Sequence, residues 1–406
     1  MTRRDLFSLA AVPAVAQSPA ASARKLLVIS IDGLDHRYLR DADRLGVKIP
    51  TLRRLLKEGL WADGVVGEVP TVTWPSHTSM LTGVPPRVHG ILNNRRPAAE
   101  GGEYYWTLDL CRVPTLWHAA RAKGAKTAGI TWPVTVTELI DFNLPEYFRR
   151  RRGGAMDLRS IESKCTPGLV AKIASAHPSF AQEWMDDRAR TLATQYILKN
   201  EQPDFFAVHF VDLDSEQHDN GPFTREAFAI LEYTDELLAR ILESLPARTA
   251  VAIVSDHGFM RVRRTVNLRV LQQQRNLVGN LQVTAGLVVA LDDAGAAALE
   301  VLGKDPTAGI GRRVSALELA RFAPTLADAK AAFEPAEEVI FGNAASGDSQ
   351  VLQEARGDHG LWPGRPDYRA TFLLWGSGIA AGRLPEVPMT GHARRFADIL
   401  GLSFPA

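Results

Sequence analysis

"KLLVISIDG", Lys25 to Gly33, decides the fold. Five of its first seven residues are apolar, on both alternations, which fits a strand buried on both faces, and it stops at an Asp-Gly turn. A strand apolar on both faces needs helices above and below it. The rest of the chain supplies them. "PTLRRLLKEG" (50–59) and "PTLWHAARAKG" (114–124) read as helices closed by glycine, and "FTREAFAILEYTDELLARILESL" (223–245) as a long amphipathic helix. Between them lie strands at "AKTAGITW" (125–132), "PDFFAVHFVDLD" (203–214), "TAVAIVSDHG" (249–258) and "RATFLLWGSG" (369–378). The alternation predicts an α/β fold with a mostly parallel central sheet and helices on both faces.

In such sheets functional groups gather beyond the carboxyl ends of the strands. Those ends carry a pattern here. "SIDG" presents Asp32, "DLDSEQHDNGP" Asp214 and His218, "SDHG" Asp256 and His257, and "GDHG", just before the last strand, His359. Three aspartates and three histidines are thus expected on four loops of one sheet edge. Singly, each has an ordinary reading as a turn residue, a helix cap or a surface histidine. Together they make an imidazole–carboxylate set suited to zinc, or to another divalent ion such as manganese. Six ligands exceed one open zinc site and suit two ions. The two cysteines, Cys111 and Cys165, are too few for a thiolate cluster, and sequence leaves their pairing open.

"PTVTWPSHTSMLTG" (70–83) is rich in hydroxyls. Thr73 is expected just before a short helix, with Ser76 placed to cap it. A helix dipole favours an alkoxide by only about 1 kcal/mol. A bound zinc lowers the pKa of water by ~9 units. Were Thr73 a nucleophile, the metal would make it one.

These stretches, with "HGILNN" (89–94) and "PTLWHAARAKGAKTAGITWP" (114–133), resemble the nucleotide pyrophosphatase/phosphodiesterase family of the alkaline phosphatase superfamily. The resemblance runs from about Lys25 to Leu402 and is weakest over 266–350. It implies an alkaline-phosphatase-like fold and an enzyme with two Zn2+ per chain. Asp32, Thr73, Asp256 and His257 would surround one ion; Asp214, His218 and His359 would hold the other. Thr73 would be the nucleophile and Asn94 a donor to a phosphoryl oxygen, with hydrolysis through a phospho-threonine. His77 and His89 read as structural. The strand "AVHFVDLD" departs from the family: His209 stands where an aromatic near the nucleobase is frequent, and Asp212 where Glu is common. The ligands match better than the specificity pocket.

A phosphomonoesterase is the alternative within the superfamily; it would want added cations for a dianionic phosphate. A metal-binding protein without catalysis is the alternative of another class, disfavoured by a complete ligand set. A sulfatase lacks its cysteine in the nucleophile region.

Composition bounds the rest. The 406 residues carry a formal net charge of +1, with 46% hydrophobic and 23% charged residues, giving no sign of a nucleic-acid-binding surface. The run Arg149–Arg152 reads as a solvated loop, with anion docking as the sharper reading. Residues 1–23 pair Arg3-Arg4 with an apolar run from Leu6 to Ala16 and small residues, an export signal similar to the twin-arginine type. A periplasmic or secreted protein without a stable membrane anchor, acting on a small phosphodiester or nucleotide, is expected. Its organisation reads as a metal-dependent core at 24–265 and 351–406 with a small subdomain inserted at 266–350.

Overall fold

A computed structural model of the chain describes residues 25–180 and 182–404. The export signal expected at 1–23 lies outside the described residues. Eight strands form the central sheet: β1 (Lys25–Ile31), β2 (Leu60–Ala62), β3 (Thr127–Ile130), β4 (Phe142–Leu144), β5 (Phe205–Phe210), β6 (Thr249–Val254), β7 (Phe372–Gly376) and β8 (Gly382–Leu384). Their order is β8-β2-β7-β6-β1-β5-β3-β4. Only β7 runs against the others.

Alternate side chains of β1 enter two different cores, because a strand's neighbours point to opposite faces. Leu27, Ile29 and Ile31 join one apolar layer, and Leu26 and Val28 the other. The first layer is covered by α1 (Pro50–Glu58) and by helices from the chain's middle; the second by α2 (Thr73–Thr82), α3 (Leu116–Ala122) and, from the C-terminus, a helix at 391–400. α4 (Asp187–Asn200), α5 (Asp212–Asn220) and α6 (Arg225–Leu242) complete the first layer. In α6 the Thr224 hydroxyl caps the helix by accepting from the Ala227 amide, and Ala227, Leu231, Leu237, Leu238 and Ile241 are buried along one stripe. Cys165 packs against one layer and Cys111 against the other, and both are free thiols.

Three local expectations change. The predicted strand at 203–214 ends at Phe210, and Asp212 to Asn220 is helical, so Asp214 and His218 stand on α5. Valine, aromatic and alanine residues stop at Val211, and an acidic first turn suits a helix N-terminus. Ser76 does not cap α2; it lies inside the helix, buried, with Oγ unpartnered. The single run "LQVTAGLVVALDD" is a hairpin, Leu281–Thr284 with Leu287–Ala290, because Ala285 and Gly286 both take positive φ (55° and 73°) in a two-residue turn.

That hairpin belongs to a separate four-stranded antiparallel sheet with Ala331–Pro335 and Ile310–Arg313, which has its own apolar layer around Leu281, Val288, Leu299 and Phe333. A three-stranded sheet, Val339–Phe341, Met260–Val266 and Gln350–Asp358, carries the chain out of the core and back. Among the described residues, no helix is long and apolar enough to cross a membrane.

Candidate active site

β6, β1 and β5 are adjacent and parallel, so their carboxyl ends meet at one edge in the middle of the sheet. Asp32 follows β1 directly, and its amide donates to Phe210 O at the end of β5 (2.9 Å). Asp256 follows β6 and accepts from the Gly33 amide through Oδ1 (3.1 Å). Gly33 sits at φ 68°, and a Cβ there would lie 2.9 Å from both Gln217 Nε2 and the Phe259 ring. The Asp-Gly pair therefore turns tightly enough to keep both carboxylates over the edge.

His257 reaches the same point. Its Nε2 lies 3.1 Å from Asp256 Oδ2 and 3.3 Å from Asp32 Oδ1. On α5, Asp214 and His218 are one turn apart, with His218 Nε2 3.5 Å from Asp214 Oδ1. His359 arrives by a route the expectation of a loop on the central sheet edge missed. Met260 pairs with Asp358 between two strands outside that sheet, which sets the next residue, His359, beside His257. The two imidazoles stack with centroids 3.7 Å apart, and His359 Nε2 is 3.7 Å from Asp214 Oδ1.

All six predicted ligands thus come together, as two trios. Asp32, Asp256 and His257 form one and Asp214, His218 and His359 the other, each with its ligand atoms within 4.8 Å of one another. Asp32 Oδ1, Asp256 Oδ2, His257 Nε2 and Asp214 Oδ1 are buried without any hydrogen-bond partner. Buried polar atoms are ordinarily paired, and four orphans pointing at two spots mark a missing counter-charge. The electrostatics agree. Burial holds the Asp32 carboxyl well above the usual carboxylate range, and the nearby charges of Asp214 and Asp256 add to it, against the pull of His209. Burial, aided by His359, holds His257 well below the usual histidine value, in the neutral form that ligates metals. Imidazole with carboxylate donors in this crowding fits divalent cations of the zinc type.

Thr73 is the first residue of α2 and is 6% exposed. With Asp32, Asn94, Asp214, His218 and His359 it lines a cavity of about 350 Å³. Asn94 accepts from the Trp74 amide through Oδ1 (3.0 Å), which leaves its NH2 as the group free to donate. His77 lies beneath. Its Nδ1 is 2.8 Å from Thr73 O, a carbonyl that can only accept, so Nδ1 carries the proton and Nε2 accepts from Ser30 Oγ (2.8 Å). Burial, together with His209, pushes His77 down to about 3, keeping it neutral. His89 bonds Ser79 Oγ and the Ile91 amide inside the protein.

His209 does not stand at a nucleobase site. It is 1% exposed, with Nε2 3.0 Å from Asp32 Oδ2 and Nδ1 3.0 Å from Thr131 O and 3.3 Å from Glu146 Oε2. Burial opposes its charge, but the Asp32 and Glu146 hydrogen bonds outweigh that and push it up to about 10. It therefore donates from both nitrogens and fixes Asp32 from behind. Sequence reasoning missed Glu146; a Glu two residues past the apolar run of β4 carries no sign that its partner is 63 residues away. It also missed Trp74 and Tyr104, which line the cavity; Arg151, from the run noted for anion docking, lines it too.

The family model for type I phosphodiesterase / nucleotide pyrophosphatase matches residues 26–340. The chain belongs to that family. Venom phosphodiesterase CdcPDE of Crotalus durissus collilineatus is 25% identical over 270 residues, and the match covers 61% of this chain and 28% of the relative. Human ectonucleotide pyrophosphatase/phosphodiesterase family member 1 is 22% identical over 244 residues, 57% of this chain and 23% of that one. This phosphodiesterase-family chain thus spans about a quarter of the length of those curated relatives. Murine ectonucleotide pyrophosphatase/phosphodiesterase 5, solved as an inactive variant in complex with AMP, superposes with a TM-score of 0.63 at 15% identity, covering 94% of this chain and 96% of that one. The family's alkaline-phosphatase-like fold extends through most of the described chain.

Proposed function

We propose that the chain is a divalent-metal-dependent hydrolase of phosphodiester or pyrophosphate bonds that uses Thr73 as nucleophile. The observation that carries this is the pair of orphaned ligand trios at the border of the Thr73 cavity. Asp32, Asp256 and His257, with the Thr73 hydroxyl, would hold one zinc, and Asp214, His218 and His359 the other. Bound there, the two ions supply Lewis-acid stabilisation of the charge that develops on oxygen.

The protein's own groups do the rest. His77 and the first turn of α2 fix the Thr73 backbone, so Oγ enters the cavity from a rigid support. Thr73 Oγ releases its proton to solvent water and bonds to phosphorus, and the ester or anhydride bond opposite breaks, its oxygen leaving with the rest of the substrate as an alcohol or phosphate that takes up a solvent proton where its pKa requires one. The α2 N-terminus favours negative charge on that oxygen by about 1 kcal/mol. The Asn94 NH2 donates to a phosphoryl oxygen, aimed by its bond to Trp74. His209 keeps Asp32 in its ligand rotamer. Water then cleaves the phospho-threonine, and Thr73 is restored.

The solved murine relative binds AMP. Trp74 and Tyr104, with ring centroids 4.7 Å apart, give this cavity an aromatic wall for a comparable base. A small phosphodiester or nucleotide is the substrate class, and residues 1–23 direct export. One observation favours a second reading as a phosphomonoesterase: a cation, Arg151, lines the cavity. The deciding experiment compares release of nitrophenol from bis(4-nitrophenyl) phosphate and from 4-nitrophenyl phosphate after zinc loading. Faster diester cleavage supports the proposal; faster monoester cleavage selects the second reading; neither reaction at any metal loading removes both.

A further inference from the structure

Five neighbouring strands of the central sheet end beside the candidate site, in the order β6-β1-β5-β3-β4. Each end contributes a polar residue to one row. Asp256 follows β6, and Asp32 follows β1; His209 is the next-to-last residue of β5, Thr131 follows β3, and Glu146 stands two residues past β4. Because these strands are parallel, their carboxyl ends fall side by side. His209 is the centre of the row. Nε2 lies 3.0 Å from Asp32 Oδ2, and Nδ1 lies 3.0 Å from Thr131 O and 3.3 Å from Glu146 Oε2. A carbonyl and two carboxylates can only accept, so both ring nitrogens donate.

The ring has a single setting. Thr131 Oγ1 donates to His209 O (2.8 Å) and accepts from buried Arg190 Nε (3.0 Å), and the His77 ring packs on the imidazole with centroids 4.3 Å apart. Glu146 is 1% exposed, a burial that a carboxylate keeps only with a partner. Arg190 is not that partner, since its guanidinium takes Thr131 Oγ1, Asp187 and Gly154 O. His209 is, and the two acceptors on Nδ1 aim its Nε2–H bond at Asp32. Asp32 Oδ2 is thereby occupied, while Oδ1 stays orphaned 3.3 Å from His257 Nε2. Asp256 is divided in the same way, with Oδ1 on the Gly33 amide and Oδ2 orphaned. Each carboxylate of the buried trio thus presents one oxygen. The row's hydrogen bonds end at Asp32 and do not extend to Asp214, His218 or His359.

We infer that Glu146 is a positioning residue: acting through His209, it holds Asp32 so that the ion of the buried trio meets Oδ1 alone. This inference rests on the metal-dependent reading above. Glu146 also lines the cavity, so an activity assay would mix its effect on the metal with any effect on substrate. Metal affinity of the substrate-free chain separates the two. The test is zinc titration of the metal-free chain against a chromophoric chelator in two backgrounds, D214N, which keeps the buried trio, and D256N, which keeps the outer one. E146A should weaken zinc binding about 10–100-fold in D214N, the usual effect of losing a group that orients a metal ligand, and leave it unchanged in D256N. E146Q, whose side-chain carbonyl can still accept from Nδ1, should restore most of the loss. H209F removes both links and should reproduce the selective loss, which keeps the test open if E146A does not fold. No loss in D214N, an equal loss in both backgrounds, or E146Q as weak as E146A overturns the assignment. A wild-type chain that takes up no zinc defeats the metal-dependent reading itself, and this inference with it.

Discussion

Thr73 and His392 show two different uses of a buried polar residue. Thr73 lines the same cavity as Asp32, Asp214, His218 and His359, and Thr73→Ala should lower turnover by ~10³-fold or more while metal content and melting temperature stay near wild type. Elemental analysis beside the rate measurement checks this; a rate within tenfold of wild type would remove Thr73 from the mechanism. His392 is far from that chemistry. It is fully buried between Phe372 and Phe396, and burial, aided by Arg395 and opposed only by a weak contact with the Pro388 carbonyl, pushes it down to about 3 from 6.5. The unfolded chain binds a proton below pH 6.5 that the folded one refuses until near pH 3. Stability is therefore fully present above pH 6.5 and falls as pH drops through that window, by about 2 kcal/mol between pH 7 and pH 5 from this residue. Urea denaturation of His392→Leu at both pH values should show a correspondingly smaller loss. The six candidate ligands were legible in sequence only as a set, and through the family resemblance, since each alone reads equally well as a turn residue, a helix cap or a surface histidine. The role of His209 and the presence of Glu146 were not, since each is set by a partner up to 177 residues away.

At the scale of elements, the site is assembled by contacts between strand ends and one buried ionic network. Asp187, Arg190 and Asp212 join α4, α5 and the hairpin at 151–157. Burial and the neighbouring Asp187 push Asp212 up to about 7, in spite of Arg190. Arg190→Met strips the cation from the buried Asp187 carboxylate and the half-buried Asp212 one and should cost about 3–5 kcal/mol, since breaking a buried pair leaves an uncompensated charge. A loss below ~1 kcal/mol in a urea titration would show that the network is not held together by charge. The central strands and the long helices could be read from apolar runs and glycine stops. The helix at Asp212–Asn220 could not, because its polar sequence carries no 3.6-residue apolar stripe and it is fixed instead by packing against Tyr38, Gly33 and the Gln350–Asp358 strand. The hairpin at Leu281–Ala290 was hidden because Ala-Gly is a weak turn signal compared with Asn-Gly.

Across the whole molecule, two crowded carboxylate–imidazole trios lie near the ends of three parallel strands, and on the proposed reading bound cations would relieve a carboxylate repulsion that His209 offsets only in part. Metal should therefore stabilise the fold as well as activate it. Removing metal with a chelator should lower the melting temperature, and restoring zinc at 100 times its dissociation constant should return about 2.7 kcal/mol per site. The most direct measurement is the metal content of the purified chain and of Asp214→Asn and Asp256→Asn, by elemental analysis after dialysis against zinc. Two equivalents in the wild type and one in each variant are expected. One equivalent or none in the wild type, or two retained in both variants, would contradict the two-site account.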